Sequence, residues 1–409
     1  MKSEWTKMKL SDIADFNPRE TIKKGEMSKK ISMDVLRPFY RDVPYYTEEC
    51  FSGGTKFRNG DTIMARITPC LENGKTAQVS ILNDGEVGFG STEYIVFRAK
   101  EGIADKDYLY YLVCSPEVRE PSIKSMVGSS GRQRVQTDVV KNLEIDVPPL
   151  VEQEIIGSFL RLIDDKIALN DKINKNLEQQ AQAIFKEWFI DNPENNEWST
   201  GTFSELIKST LNGDWGKEAP TGNNTEKVYC IRGADIPEVK AGNKGKMPTR
   251  YILPKNYVAK QLTAGDIVVE ISGGSPTQST GRCTAITQSL LDRYDSGMVC
   301  TNFCKALKPK EGYSLFIYYY WQYMYGKGVF FSYENGTTGI KNLDFSGFIE
   351  TETILIPPVD KIIAFDNYCN SIFSQIFANG KQNEHLAVLR DTLLPKLMSG
   401  ELDVSNIDL

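Results

Sequence analysis

Few residues of this chain have the types and spacing that catalysis requires. His385 is its single histidine, and its eight cysteines form no C-x-x-C pair. One histidine argues against histidine-based catalysis and His-rich metal sites, and scattered cysteines are typical of reduced thiols rather than zinc ligands or disulfides. No Ser-His-Asp, Cys-His or paired-carboxylate arrangement stands out. We therefore expect neither a catalytic residue nor a metal site.

Two glycine-containing segments are superficially similar to phosphate-binding loops. Asn73-Gly74-Lys75-Thr76 has the right ending, but the motif needs a glycine where this chain has Pro69. Gly273-Gly274 is not followed by lysine and threonine. No glycine loop suited to S-adenosylmethionine is apparent either, so we expect no cofactor on this chain.

The composition is ordinary for a globular protein, with 40% hydrophobic and 25% charged residues. A length of 409 residues predicts two to four domains. No apolar run reaches the roughly 18 residues of a membrane span, and the N-terminal segment lacks an apolar signal core. We therefore expect a cytoplasmic protein with no membrane partner.

The net charge of −6 argues against a protein coated in positive charge, but two segments are locally basic. Residues 227–260 carry eight lysines and arginines against two acidic residues, and residues 119–134 carry four against one. Such segments fit nucleic-acid binding. A solvated surface with chance clustering explains the charge equally well.

The chain repeats several short patterns in the same order. Val147-Pro148-Pro149-Leu150 returns as Ile356-Pro357-Pro358-Val359, about 209 residues later. Gly60-Asp61-Thr62-Ile63 returns as Gly265-Asp266-Ile267-Val268, with an offset of about 205. The shared order and near-constant offset predict a tandem pseudo-repeat.

A long apolar stripe follows each Pro-Pro pair, with steps of four and three residues that indicate a coiled-coil seam. The first stripe has two polar interruptions, Asn170 and Asn174, among Ile156, Leu160, Ile163, Ile167, Leu177, Ala181, Ile184 and Trp188. About 209 residues later the asparagines are Asn379 and Asn383, among Phe365, Cys369, Ile372, Ile376, Leu386, Leu393 and Leu397. Arg390 is the one clear mismatch.

Each stripe predicts a helix of about 39 residues, roughly 58 Å long, which cannot bury its seam alone. Antiparallel pairing lets the intervening domain begin and end close together. The predicted partners are Asn170 with Asn383, Asn174 with Asn379, Ile167 with Leu386 and Ile163 with Arg390. Asn379-Gly380 predicts a break in the second helix, and Pro395 predicts a kink.

The remaining segments combine short β-rich runs with helices predicted over 105–114 and 314–325, which indicates an α+β fold of two mixed α/β domains. The Tyr/Trp cluster at 318–325 is favoured as helical core packing over a base-stacking surface. Two similar but unlike domains joined by paired helices would suit a protein that reads two different DNA half-sites.

These features resemble the specificity subunit of type I restriction–modification enzymes. The resemblance is carried by the Gly-Asp segments at 60 and 265, by the segment from Val147 to Ile155 and, most specifically, by the segment from Leu389 to Leu402. It covers nearly the whole chain. The second copy departs from the pattern at Asp360-Lys361, where the first has Glu152-Gln153.

The resemblance implies a domain order, which is 1–150 for target recognition domain 1, 151–191 for a central conserved helix, 192–358 for target recognition domain 2, 359–400 for a C-terminal conserved helix and 401–409 for a tail. It also implies a non-catalytic subunit that binds a bipartite, asymmetric site in double-stranded DNA. The implied partners are two adenine methyltransferase subunits and ATP-driven restriction subunits. S-adenosylmethionine, ATP and magnesium would bind those partners rather than this chain.

DNA contacts are expected in loops that follow the Gly-Asp strands and precede the Pro-Pro segments. Cationic and polar side chains there could contact phosphates and base edges. In the first domain these candidates are Arg66, Thr68, Asn73, Lys75, Ser129, Ser130, Arg132, Gln133 and Arg134. In the second domain they are Ser272, Ser275, Gln278, Ser279, Arg282, Thr337, Thr338 and Lys341.

Two other functions stay open at this point. One is a DNA methyltransferase or nuclease with an unrecognised active site. The other is a coiled-coil interaction scaffold without a DNA role, against which the basic segment 227–260 argues.

Overall fold

The structure, a computed structural model, describes residues 5–129, 131–275, 277–336 and 340–404. The chain divides into two compact units. Unit 1 comprises Met1–Ala168 and His385–Leu409, and unit 2 comprises Leu169–Glu384. The predicted domain boundaries at 150 and 358 therefore differ from the unit boundaries, because both units include parts of the two long helical segments.

Unit 1 is built around two four-stranded sheets with the orders β2-β9-β6-β7 and β4-β3-β8-β5. Strand pairs in both are antiparallel except β3 with β8. A separate pair joins β1 to β10. The strands are β1 (Thr6–Lys9), β2 (Ala14–Phe16), β3 (Met27–Ile31), β4 (Thr47–Cys50), β5 (Thr55–Phe57), β6 (Thr62–Ala65), β7 (Thr76–Gln78), β8 (Gly88–Gly90), β9 (Tyr94–Ala99) and β10 (Glu144–Val147).

Short helices cover the sheets of unit 1. They are α1 (Leu10–Ile13), α2 (Lys106–Cys114), α3 (Pro116–Lys124) and α4 (Thr137–Lys141). Helix α2 matches the helix predicted over 105–114, and it begins at Asp105 because that side chain accepts hydrogen bonds from the backbone of Asp107 and Tyr108. Its apolar face joins Leu160 and Leu397 in one buried core.

The first long helix, α5 (Leu150–Phe185), begins directly after the first Pro-Pro pair and continues as a π-helical turn over Lys186–Ile190. These bounds fit the predicted central helix. Ala181 is buried as the predicted stripe requires, but the helix differs from the stripe after it: Phe185 and Phe189 are buried, whereas Ile184 and Trp188 are only partly buried. A helix with 3.6 residues per turn drifts against a strict seven-residue repeat, which shifts the buried positions by one.

Unit 2 has sheet orders β12-β19-β15-β17 and β14-β13-β18, a β11-β22 pair and a small sheet β16-β21-β20. Strands β13 and β18 are parallel, as β3 and β8 are in unit 1. The strands are β11 (Ser199–Thr202), β12 (Ile207–Asn212), β13 (Glu226–Ile231), β14 (Thr249–Ile252), β15 (Ile267–Glu270), β16 (Ser272–Gly273), β17 (Cys283–Ala285), β18 (Gly297–Cys300), β19 (Cys304–Pro309), β20 (Glu334–Asn335), β21 (Lys341–Leu343) and β22 (Thr353–Ile356).

The helices of unit 2 enclose an aromatic core. They are α6 (Ile236–Lys240), α7 (Pro254–Lys260), α8 (Gln288–Leu291), α9 (Ser314–Gly326) and α10 (Phe345–Thr351). Tyr318, Tyr319 and Trp321 of α9 are at most 1% exposed, so the prediction that this aromatic cluster packs in the core is confirmed.

The second long helix, α11 (Val359–Met398), runs without interruption through Asn379-Gly380 and includes Pro395 near its end. The predicted break at Asn379-Gly380 is therefore wrong. Gly380 has a packing role instead, because a Cβ atom there would lie 1.9 Å from the carbonyl oxygen of Gly242.

Within unit 2, α5 and α11 meet at the predicted asparagines. Asn170 Nδ2 donates to Asn383 Oδ1 at 2.8 Å, and Asn379 Nδ2 donates to Asn174 Oδ1 at 2.8 Å. As the chain of α5 advances from 170 to 174, its partner in α11 recedes from 383 to 379, so these segments are antiparallel. The asparagine partners predicted from sequence are confirmed.

Within unit 1, α5 and α11 meet through a buried charge pair. Arg390 Nη1 contacts Asp164 Oδ1 at 2.6 Å, and both side chains are at most 10% exposed. The predicted partner, Ile163, is wrong by one residue. Ile163 is buried as an apolar side chain, whereas the guanidinium requires the adjacent carboxylate.

No helix in the described ranges is long and apolar enough to cross a membrane. The fold is α+β, as predicted, with strands in both units and two long helical segments.

Candidate nucleic-acid interface

In unit 1 the two predicted DNA-contacting loops lie side by side. The backbone nitrogen of Thr68 donates to Gln133 O at 3.0 Å, and Val135 N donates to Arg66 O at 2.8 Å. Val127 and Arg134 exchange two further backbone hydrogen bonds of 3.0 and 2.9 Å. We call residues 66–75 and 127–135 the loop pair of unit 1.

The loop after β6 is held by internal bonds. Thr68 precedes Pro69 through a cis peptide bond, and its hydroxyl donates to Glu72 Oε1 at 2.9 Å. Lys75 Nζ donates to the carbonyl oxygen of Met33 at 2.7 Å, which keeps this cation within the unit. Asn73 is exposed. Of these predicted contacts, Asn73 is the one most open to a ligand.

The second loop of the pair carries the exposed cations. Arg132 and Ser129 are exposed, and Gln133 is half-buried. The described residues include no hydrogen-bond or ion-pair partner for the Arg132 side chain. Ser130, also a candidate, lies outside the described residues.

Glu93, the residue before β9, organises the charges of this loop pair. Arg134 Nη2 contacts Glu93 Oε1 at 2.7 Å, and Arg66 Nε lies 3.8 Å from Glu93 Oε2. Hydrogen bonding to Arg134 lowers the pKa of Glu93 against the opposing effect of burial. The carboxylate therefore stays ionised and orients Arg134.

Unit 2 has a corresponding loop pair, which we define as the described residues of 271–282 and 334–343. Strand β16 pairs with β21 so that Ser272 lies opposite Asn342 and Gly273 opposite Lys341. Ile271 N donates to Phe303 O at 2.9 Å, and Leu343 N donates to Ile271 O at 2.8 Å. The backbone of unit 1 makes the same two bonds, with Arg66, Glu93 and Val135 in the places of Ile271, Phe303 and Leu343.

The predicted residues of unit 2 have different surroundings. Ser272 bonds to Asn342, and Ser275 Oγ accepts from the backbone of Gln278 at 3.1 Å. Gln278 is exposed, whereas Ser279 is only 3% exposed and does not present its side chain at the surface. Ser279 directly follows the turn that Ser275 and Gln278 form and is buried, so its prediction as a DNA contact lacks structural support.

Two predicted cations of unit 2 are paired with carboxylates. Arg282 Nη2 contacts Glu270 Oε1 at 2.7 Å, and Lys341 Nζ contacts Glu334 Oε2 at 2.7 Å. Thr337 and Thr338 lie outside the described residues. The described part of this loop pair therefore presents fewer unpaired cations than the sequence indicated.

Sequence reasoning missed Glu93, Glu270, Phe303 and Asn342. Glu93 and Phe303 immediately precede β9 and β19, the strands that pair with the two Gly-Asp strands, and they are far from the predicted loops in sequence. Phe303 is 59% exposed although it adjoins a buried strand. The alignment of the two repeats could have found this pair, because both residues immediately precede equivalent strands.

Half of the eight cations in the basic segment 227–260 pair with carboxylates in three dimensions. Lys227 pairs with Asp295 at 2.8 Å, Arg232 with Asp235 at 2.9 Å and Arg250 with Glu218 at 3.2 Å. Lys260 pairs with Asp214, while Lys246 and Lys255 are exposed. The linear charge of this segment therefore overstates its surface potential.

The described residues contain no group of three or more His, Cys, Asp or Glu side chains that could hold a metal ion. All eight cysteines are free thiols. Burial raises the pKa of the Cys230 thiol to about 12, which keeps it protonated and unreactive at neutral pH.

Comparison with known proteins bears on the whole chain. Residues 2–179 match the family model described as "Type I restriction modification DNA specificity domain". The specificity subunit of the type I restriction enzyme EcoAI from Escherichia coli is 35% identical over 187 residues, which cover 44% of this chain but only 31% of that protein. The HindI specificity subunit from Haemophilus influenzae is 23% identical over an alignment that covers 98% of this chain and all of that protein.

A solved structure shares the fold. The crystal structure of the type I restriction–modification system S subunit from M. genitalium matches 97% of this chain and 96% of that chain, with a TM-score of 0.52 and 16% sequence identity. These findings confirm the family resemblance inferred from sequence.

Proposed function

We propose that this chain, which carries a type I restriction–modification DNA specificity domain over residues 2–179, is the DNA specificity subunit of a type I restriction–modification complex. The observation that supports this function best is the presence of two loop pairs with the same backbone hydrogen bonds and different side chains. Two loop pairs that share a backbone framework but differ in their side chains suit the recognition of two different DNA sequences.

The repeated topology supports an origin by duplication. In both units the Gly-Asp strand is central in a four-stranded sheet, β6 in β2-β9-β6-β7 and β15 in β12-β19-β15-β17. Two units that read separate stretches of one duplex would bind a bipartite site. Because their loops differ, that site would be asymmetric.

We further propose that α5 and α11 form an antiparallel coiled coil. The four asparagines support this, since they form two cross-helix pairs in unit 2, in which Asn170 donates to Asn383 and Asn379 donates to Asn174. Buried polar pairs fix the register of paired helices at some cost in stability. The exposed side chains along α5 and α11 would then be available to two adenine methyltransferase subunits and to restriction subunits.

The chemistry of the complex is assigned to those partners. S-adenosylmethionine, ATP and magnesium would bind the methyltransferase and restriction subunits, and this chain would select the DNA. The test is to map methylated adenines in cells that produce the methyltransferase subunits with and without this chain. We expect methylation of one split sequence only when the chain is present.

A biochemical experiment separates this function from the alternatives. The purified chain is incubated with DNA and S-adenosylmethionine without partners to test for methylation. DNA binding by the complex assembled with the methyltransferase subunits is measured at several salt concentrations. We expect no methylation, and an affinity that falls steeply with salt because phosphate contacts release counterions. Methylation by the chain alone would indicate an enzyme, and absence of DNA binding by the assembled complex would indicate a scaffold without a DNA role.

A further inference from the structure

We propose that Arg134, held by Glu93, reads a guanine in the half-site that unit 1 binds. This inference rests on the proposed function and adds the base class and the residue that selects it. Three observations support it: the geometry of the Arg134–Glu93 ion pair, the exposure of the Arg134 side chain and the hydrogen bonds that hold the Arg134 backbone.

Glu93 holds Arg134 from the side. Arg134 Nε donates to both Glu93 carboxylate oxygens at 2.9 and 3.0 Å, and Nη2 donates to Oε1 at 2.7 Å. These bonds occupy the edge of the planar guanidinium formed by Nε and Nη2. The opposite end, with one N–H of Nη2 and both of Nη1, keeps its donors in a fixed plane.

The Arg134 side chain is accessible, and hydrogen bonds hold its backbone in place. The Arg134 side chain is 45% exposed, whereas Glu93 is 23% exposed. The backbone of Arg134 is fixed by two hydrogen bonds to Val127, and the backbone nitrogen of Glu93 donates to Ser91 Oγ at 3.1 Å. A donor fork with this support loses little conformational entropy when it binds.

Two parallel N–H donors match guanine. Its major-groove edge presents N7 and O6 as adjacent acceptors, whereas adenine presents N7 beside the N6 amino donor. An arginine that approached adenine in the same way would place one of its N–H donors against the N6 amino donor. A phosphate also accepts a bidentate arginine, so the experiment must separate base recognition from backbone contact.

Unit 2 does not repeat this pair at the same place. Phe303 and Asn342 occupy the positions that Glu93 and Arg134 occupy in unit 1, as the backbone hydrogen bonds and strand register show. The guanine assigned to Arg134 is therefore specific to one half-site. The other half-site provides an internal control in the same DNA molecule.

The experiment selects binding sequences from randomised DNA with the full chain in the proposed methyltransferase complex. Wild type is compared with Arg134→Lys, which keeps the charge but removes the fork, and with Glu93→Gln, which weakens the support. Lys124→Gln is the matched control, because it removes a 78% exposed cation from the same unit.

We expect Arg134→Lys to lose the guanine preference at one position of one half-site. Its affinity for the wild-type site should fall about 5- to 150-fold, the range of one bidentate base contact. Glu93→Gln should show a smaller loss at the same position. Lys124→Gln should select the wild-type sequence.

A second measurement does not depend on variant folding. Each guanine of the selected half-site is replaced in turn by 7-deazaguanine, which lacks the N7 acceptor, and binding by the wild-type complex is measured. We expect one replacement to weaken binding by the wild-type complex, a result that needs no variant. In a folded Arg134→Lys complex, the same replacement should leave binding unchanged.

The outcomes separate the inference from the proposed function. If the wild-type complex selects no split sequence, both are overturned. If it selects one and Arg134→Lys keeps every base preference, or loses affinity equally for all sequences, Arg134 contacts phosphate or nothing, and only the guanine assignment fails.

Discussion

Arg390 shows how one residue can interrupt a repeated apolar seam without disrupting it. Its guanidinium donates to Asp164 and to the carbonyl oxygen of Phe39, and Asp164 also accepts from Tyr111 Oη at 2.6 Å. About 209 residues away in each direction, the equivalents of Asp164 and Arg390 are Phe373 and Ala181, both buried. Positions that are 209 residues apart thus hold charges in unit 1 and apolar side chains in unit 2.

This comparison gives a prediction for the buried pair. Arg390→Met should destabilise unit 1 by about 3–5 kcal/mol, because it leaves the Asp164 carboxylate buried with no cation. Asp164→Leu combined with Arg390→Met should recover most of that loss, since an apolar pair is tolerated at the equivalent place. Urea denaturation of the single and double variants tests it. A double variant as unstable as Arg390→Met would refute the explanation.

Asp366 provides a pH-dependent prediction in unit 2. Its Oδ1 accepts from the backbone nitrogen of Leu315 at 2.6 Å at the start of α9. Burial raises the pKa of Asp366 above its ordinary value of 3.8. A raised carboxyl pKa means that the folded state binds the proton more tightly, so the free energy of unfolding falls as pH rises through this range.

Asp366→Asn should therefore raise the unfolding midpoint of unit 2 at pH 7, because it keeps the acceptor and removes the buried charge. The gain should shrink as pH falls toward 3.8, where wild-type Asp366 is protonated. Asp366→Ala is the control, and loss of the cap should cost about 0.5–2 kcal/mol. A stability difference between Asp366→Asn and wild type that does not change with pH would contradict the assignment.

At the scale of elements, the helix pairing was predictable, and its local details were less so. Asparagines at 170 and 174 that return at 379 and 383 indicate which positions pair, because a buried amide needs a partner. The antiparallel direction followed from the need for the intervening domain to begin and end close together. The partner of Arg390, Asp164, lies on α5 beside the predicted seam, and the continuity through Gly380 depends on the loop at Gly242. A seam pattern contains no information about them.

The loops were predictable as regions and not as contacts. The position of each loop followed from the Gly-Asp strand and the Pro-Pro segment. The pairing of Arg134 with Glu93 follows from strand register across 41 residues, which neither propensity nor local spacing reveals. The burial of Ser279 likewise depends on the fold of its turn.

Gly380 gives the prediction that belongs to this scale. In an exposed helix, glycine to alanine is favourable by about 1 kcal/mol. At Gly380 the new Cβ would meet Gly242 O at 1.9 Å, and Gly242 itself has a φ of +87° and would place a Cβ 2.5 Å from Ile376 O. Two backbones therefore approach each other where both residues lack side chains.

Gly380→Ala should accordingly destabilise unit 2 by about 1–3 kcal/mol, the usual cost of overpacking. Gly326→Ala is the matched control at the end of α9, where an added Cβ meets nothing within 4 Å. That variant should be neutral or more stable. Thermal denaturation of both variants tests this prediction. If both substitutions change the stability equally, the loop at Gly242 can move to accommodate the added Cβ atom.

For the whole molecule, the duplication with divergence that we propose would explain which features the two units share. Backbone hydrogen bonds at the loop pairs recur, as do the parallel contacts β3-β8 and β13-β18. Side chains at the equivalent positions differ, with Glu93 replaced by Phe303 and Arg134 by Asn342. Selection on such a molecule would preserve the scaffold and change the surface.

The last prediction concerns binding by both units at once. If each unit reads one half-site, their joint binding to one duplex should be about 10²- to 10⁴-fold tighter than binding to a single half-site. Inserting one or five base pairs between the selected half-sites rotates one against the other, since B-DNA repeats every 10–10.5 base pairs. Affinity should then fall to that of a single half-site. An insertion of ten base pairs restores the phase and lengthens the gap, so it shows whether rotation or distance limits binding. Affinity that is insensitive to all three insertions would show that the two units do not bind one site together.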